Sequence, residues 1–159
     1  MGRKSIKENK NVYQQAREEL NLTRENAEDL LEFVSADRIE KIESGKSFAR
    51  PEEVLRMSEC YKRPELCNYY CSHECAIGKK YVPEIETKDL SQITLEMLAV
   101  LNQLNQKRDR LIEITVDGEI SDEEIEDFES IRRQLDDMSM TIDALSLWVE
   151  NAINSGQYK

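Results

Sequence analysis

The chain has 159 residues, room for one ordinary domain or two small ones; 35% are charged, 39% hydrophobic, and only five are glycine and three proline. That balance argues against a disordered chain and against a sheet protein, and no run of about 18 apolar residues is present to cross a membrane. The net charge of −11 is one-sided: residues 1–83 carry 15 bases and 15 acids, residues 84–159 carry 7 and 18, so a phosphate-binding surface, if there is one, lies in the first half.

Residues 1–10 are polar without apolar periodicity and read as a flexible arm. No apolar stretch follows the basic start, so it does not read as a secretory signal. Residues 11–76 read as short helices. In NVYQQAREEL, Val12, Ala16 and Leu20 form one apolar stripe, and Asn21 breaks it. TRENAEDLLEF opens on Thr23, an N-cap residue type, with Ala27, Leu30 and Leu31 inward. SADRIEKIE opens on Ser35, with Ile39 and Ile42 inward, and Gly45 stands where a helix C-terminal glycine belongs. Pro51 and Pro64 open a fourth and a fifth helix, each followed by acid in the first turn.

Residues 77–86, with Gly78 and Pro83, read as a linker. Residues 87–159 then supply two long helices. The first repeats Leu90, Ile93, Met97, Val100, Leu104, Leu111 and Ile114, with Lys107 as the polar break. The second repeats Phe128, Ile131, Leu135, Met138, Ile142, Leu145, Val149 and Ala152. A period of 3.5 is the pattern of coiled-coil packing. The joint VDGEISDEE is short, so the two helices are expected to form an antiparallel hairpin. Its apolar face is too wide for one seam, which points to a homodimer through residues 87–153 or to packing on the N-terminal domain. Gly118 ends the first helix, and Ser121 with Glu124 makes a capping box for the second.

Leu22, Thr23, Ser35, Ile39, Ile42, Glu43, Gly45, Lys46 and Pro51, in that order, resemble the Cro/repressor-type (XRE-like) helix-turn-helix family over roughly residues 11–75. The resemblance implies an all-α chain with an N-terminal five-helix lambda-repressor-like domain and a regulator, of repressor type, that reads double-stranded DNA as a dimer. The segment LLEFVS is one residue longer than the family's usual turn. Glu32 and Phe33 stand there in place of its glycine, which predicts a different angle between the two helices.

The residues themselves say which face would read DNA. With Ile39 and Ile42 inward, Ala36, Asp37, Arg38, Glu40 and Lys41 remain outside. Ser35 and the first-turn N–H groups suit a phosphate or a base edge, and Lys46, Ser47 and Arg50 in the next loop suit the backbone. Thr23 and Arg24 open the preceding helix. The expected DNA-binding set is therefore Thr23, Arg24, Ser35, Ala36, Asp37, Arg38, Lys41, Lys46, Ser47 and Arg50. Glu43 is expected to pair within the fold.

Cys60, Cys67, Cys71 and Cys75 lie within sixteen residues, with His73 among them. A zinc or iron–sulfur site is one reading. Spacing favours another: at i, i+4 and i+8 of one helix, Cys67 and Cys75 stand about 12 Å apart along the axis, too far for one ion, and line a packing face. No cofactor is therefore expected. No nucleophile partners the lone histidine and no glycine loop cradles phosphate, so the chain is not expected to be an enzyme. Reduced cysteines and the absence of a membrane span suit the cytoplasm. The competing reading is a protein-interaction adaptor whose helix-turn-helix no longer binds DNA.

Overall fold

In the computed structural model, which describes residues 10–157, the chain is all-α: eight α-helices and one π-turn, with no strand among the described residues. The expected arm, residues 1–10, lies outside them but for Lys10. The chain divides into two compact units. One takes it to Glu84 and includes the segment from Glu150; the other is Ile85–Val149.

In the first unit, α1 (Val12–Glu19) starts at Asn11, whose side chain accepts the Gln14 N–H. Its buried residues are Tyr13, Gln14, Ala16 and Arg17, Val12 packs partly buried against the core, and only Leu20 of the expected stripe is exposed. Leu20 already lies at the C-cap and Asn21 adopts φ 56, so the helix ends before Leu20 can join the stripe. Helix α2 (Arg24–Leu31) is capped by Thr23 and α3 (Ala36–Glu43) by Ser35, each side chain accepting the backbone N–H three residues on. Ala27, Leu31, Ile39 and Ile42 are buried, and Leu30 is exposed. Burying each of the larger ones contributes about 1.5–3 kcal/mol. Gly45 closes α3 at φ +73, donating to Ile42 O. Pro51 opens α4 (Pro51–Tyr61), whose Val54, Met57 and Tyr61 complete the core while Leu55 faces out.

The turn between α2 and α3 is unusual. Glu32 has φ 68 and ψ −53, and Phe33 N–H donates to Leu31 O at 2.8 Å, a γ-turn of the strained kind on a side chain that disfavours it. Where the resembled family carries glycine, this chain holds Glu32 in a glycine-like conformation, with Arg56 on its carboxylate at 3.1 Å.

The fifth helix does not run through to Cys75. After α5 (Glu65–Tyr69) the backbone widens into a π-turn, Tyr70–Glu74, and Cys75 is already extended. The expected linker holds a short helix, α6 (Gly78–Tyr81), folded back on the π-turn. Gly78 permits this approach: a Cβ there would lie 2.1 Å from Cys71 O.

In the second unit, α7 (Leu90–Thr115) is capped by Asp89, and α8 (Ile125–Asn154) follows the Ser121–Glu124 turn, where the Glu124 carboxylate accepts the Ser121 N–H. Lys107 Nζ donates to Ser130 Oγ at 2.5 Å and Arg110 Nε to Asp127 Oδ2 at 2.7 Å. Three residues forward on α7 match three back on α8, as antiparallel neighbours require. Lys107 is therefore a polar member of the seam. The α7 seam is otherwise as spaced, apart from Leu90, which is exposed. On α8 Phe128, Ile131, Met138, Leu145, Val149 and Ala152 lie inward as spaced, but Gln134 and Thr141 are turned in in place of the expected Leu135 (48%) and Ile142 (49%), which stay exposed.

Candidate nucleic-acid interface

The exposed surface around α3 contains most of the residues expected to meet DNA. Ser35, Asp37, Lys41, Lys46 and Arg50 are exposed, Thr23, Arg24, Ala36, Arg38 and Ser47 partly so. Ile39 and Ile42 anchor the opposite side of α3 in the core, which fixes its outward face. Asn11 Nδ2 reaches across from α1 to Ile42 O at 2.8 Å and ties the end of α3 to α1.

Beneath this face lies a buried ionic cluster. Glu43 is 6% exposed and takes Arg17 Nε at 2.5 Å and Nη2 at 2.9 Å, while Arg24 Nε reaches its second oxygen at 2.9 Å. Arg17 Nη1 also donates to Leu22 O. Burial works against the Arg17 charge, but the Glu43 hydrogen bonds and charge outweigh it and raise its pKa. Glu43 thus pairs within the fold, and Arg24 is half committed to it.

Arg38 is committed more fully. Its Nε and Nη2 clasp both oxygens of Glu53 at 2.7 Å, Nη1 donates to Ser47 Oγ, and Nη2 reaches Phe48 O at 2.8 Å. Burial works to raise the Glu53 carboxyl, but Arg38 and the Arg50 N–H outweigh it and hold it below the usual carboxylate range. Arg38 and Ser47, both expected at DNA, therefore brace the α3–α4 loop against α4.

The remaining bases are balanced locally. Lys41 pairs with Asp37 at 2.6 Å and Lys46 with Glu40 at 2.9 Å, the latter keeping the Glu40 carboxyl low. The Arg50 guanidinium is the one cation of this face without a carboxylate partner among the described residues. Acids also reach the helix N-termini: Glu28 Oε2 accepts the Ala36 N–H at 3.2 Å, and the Ser35 hydroxyl accepts that of Arg38. Of the first-turn N–H groups of α3, only that of Asp37 is left for a phosphate.

Comparison with protein-family models, with curated proteins and with solved structures returned no match. The chemistry of the face must therefore be judged from its own residues.

The single helix expected to space Cys67, Cys71 and Cys75 along one packing face ends at Tyr69, so that spacing does not hold. All four are free and partly buried. Cys67 Sγ lies 3.2 Å from Ser58 Oγ, Cys60 Sγ donates to Leu30 O at 3.5 Å, and Cys75 Sγ accepts the Gly78 N–H at 3.4 Å. Burial pushes the Cys60 and Cys71 thiols up. No group of three or more His, Cys, Asp or Glu able to hold a metal occurs among the described residues, and no helix there is long and apolar enough to cross a membrane.

Two features of the site had different visibility in the sequence. Glu53, three residues beyond the helix-opening Arg50-Pro51, has the spacing of an N-terminal capping carboxylate, a signal that was available. Glu28 meets Ala36 across a turn and left no local trace.

Proposed function

We propose that the chain is a DNA-binding regulator of helix-turn-helix type, with α2 and α3 as the reading pair and the antiparallel α7–α8 hairpin as the dimer-forming element. The observation that carries the reading is the outward presentation of the first turns of α3, Ser35 to Lys41, from a head whose core holds Ile39 and Ile42. Lys41, Lys46 and Arg50 are the phosphate contacts. The Lys41–Asp37 and Lys46–Glu40 pairs are exposed, and such pairs contribute about 0–1 kcal/mol, so a phosphate displaces the carboxylate at small cost. Arg38, clasped by Glu53, sets the angle at which the loop presents Lys46 and Arg50.

Three mobile bases per head give weak binding by one copy, and pairing two heads on half-sites multiplies it. The test is retention of genomic DNA fragments across a salt series. A dimer using about six phosphates has a log–log slope on the order of −5, and Lys41→Ala with Arg50→Ala flattens it. No retention of any fragment at low salt overturns the reading.

A second reading, a protein-interaction adaptor, is favoured by the carboxylates already seated at the start of α3 and α4 and by the exposed rings of Phe33 and Phe48 (61% and 81%). It predicts that Phe48→Ala removes binding to a protein partner while Lys41→Ala leaves that binding intact.

A further inference from the structure

One side of the α7–α8 pair gathers a set of exposed apolar residues. On α7 the exposed Leu98, Leu101 and Ile112 each follow a seam residue by one: Met97, Val100 and Leu111. On α8 the exposed Ile125, Leu135 and Ile142 likewise follow Glu124, Gln134 and Thr141. One residue on is about 100° further round a helix. Because the two helices run in opposite directions, the same turn about each axis brings both sets to the same side of the pair. That side is a band about 40 Å long and two helices, roughly 20 Å, wide, apolar at these six positions and polar between them at Asn105, Arg108, Glu129 and Arg132. It offers on the order of 800 Å² to a partner, the standard size of a stable interface.

Resting on the antiparallel hairpin proposed above, we infer that this band is covered by the same band of a second copy, with the two-fold axis parallel to the helices, so that α7 lies against α8 of the partner. Charge selects this arrangement from the alternative, in which α8 lies on α8. Helix α7 carries three bases and three acids, and α8 two bases and seven acids. Stacking α8 on α8 would set two strongly acidic helices side by side, whereas α7 on α8 sets a neutral helix beside an acidic one.

The register follows from the two bonds across the pair. Lys107 meets Ser130 and Arg110 meets Asp127, which places Arg108 level with Glu129 and Ile112 level with Ile125. A two-fold axis along the helices preserves these levels between copies. Arg108 then meets the partner's Glu129, and Ile112 meets the partner's Ile125. Arg108 is exposed and pairs with its own neighbour Asp109, and Glu129 has no ion-pair partner among the described residues.

Full-length Arg108→Glu and Glu129→Arg variants test the arrangement by sedimentation at low salt. Each alone is expected to weaken self-association about tenfold or more, because each homodimer then faces like charges twice. Mixed in equal amounts, they are expected to recover association, since the mixed dimer holds two opposite-charge pairs. The double change Leu135→Asp with Ile142→Asp, at exposed positions, is expected to give a monomer with unchanged helical circular dichroism. A wild-type chain that stays monomeric, a mixture no tighter than its components, or a dimer indifferent to Leu135→Asp with Ile142→Asp each overturns the proposal. DNA retention by the wild-type chain, measured beside its association, keeps the two readings apart: retention without this dimer sinks the interface, and this dimer without retention sinks the DNA reading.

Discussion

Glu43 shows how much one side chain decides. It is buried beneath the outward face of α3 and neutralises Arg17 and Arg24 together. Glu43→Gln keeps the shape but leaves Arg24 without its carboxylate partner and Arg17 with only the longer Glu18 contact at 3.8 Å, and breaking a buried pair from one side costs about 3 kcal/mol or more. Chemical denaturation is expected to show a lower midpoint with an unchanged slope. Glu32 points the other way. Its backbone occupies positive φ in a tight γ-turn, so Glu32→Gly relieves strain and is expected to raise stability by about 1 kcal/mol, less the surface contact with Arg56. A fall in the thermal midpoint would show that the Arg56 contact or the added freedom of the unfolded chain outweighs the strain.

Among the elements, the π-turn has a consequence for pH. It carries Glu74 into the core side of the head beside Tyr13, and burial pushes the Glu74 carboxyl up. Burial, then the charge of Glu74, push the Tyr13 phenol up in turn. A carboxyl raised in the folded state is as well tolerated as in the unfolded chain only while both are protonated. Ionisation above its folded pKa therefore penalises the fold. Glu74→Gln is expected to stabilise the protein at neutral pH, and thermal melts in acid, below the ordinary carboxylate pKa, are expected to show no gain. The Arg38–Glu53 clasp runs in the opposite sense. Glu53 is held low, so its contribution is present above the ordinary carboxylate range and is lost as pH falls through its folded value.

For the whole molecule, the uneven charge makes salt act in two directions. All of the net −11 belongs to residues 84–159, the first 83 residues being neutral. Raising ionic strength from about 0.05 to 0.5 M shortens the screening length from roughly 14 Å to 4 Å and relieves acid–acid repulsion along α8. Thermal stability is therefore expected to rise with salt while DNA retention falls. Melts that drop with salt would mean that the ion pairs of the head outweigh repulsion in the hairpin.

Local chemistry in the sequence marked where the second, third and fourth helices of the head begin, but not where the fifth ends or that α6 follows it. Thr23, Ser35 and Pro51 start helices, Gly45 ends one, and the spacing of Ile39 and Ile42 identifies the inward side of α3. These features depend on contacts within three or four residues, so they are written in the order of the chain. The heptad spacing likewise marked both long helices, and the charge count separated a neutral half from an acidic one. Three-dimensional packing decided the rest. Arg38 looked free because Glu53 is fifteen residues away and meets it only when α3 and α4 fold together. The α8 seam kept Ile131, Met138, Leu145 and Ala152 but took Gln134 and Thr141 in place of Leu135 and Ile142, because a single neighbouring helix covers one narrow side and a period of 3.5 alone does not say which of two adjacent positions that side takes. A side chain's type and spacing are local quantities, but its partner depends on distances through space, which only the packed chain sets.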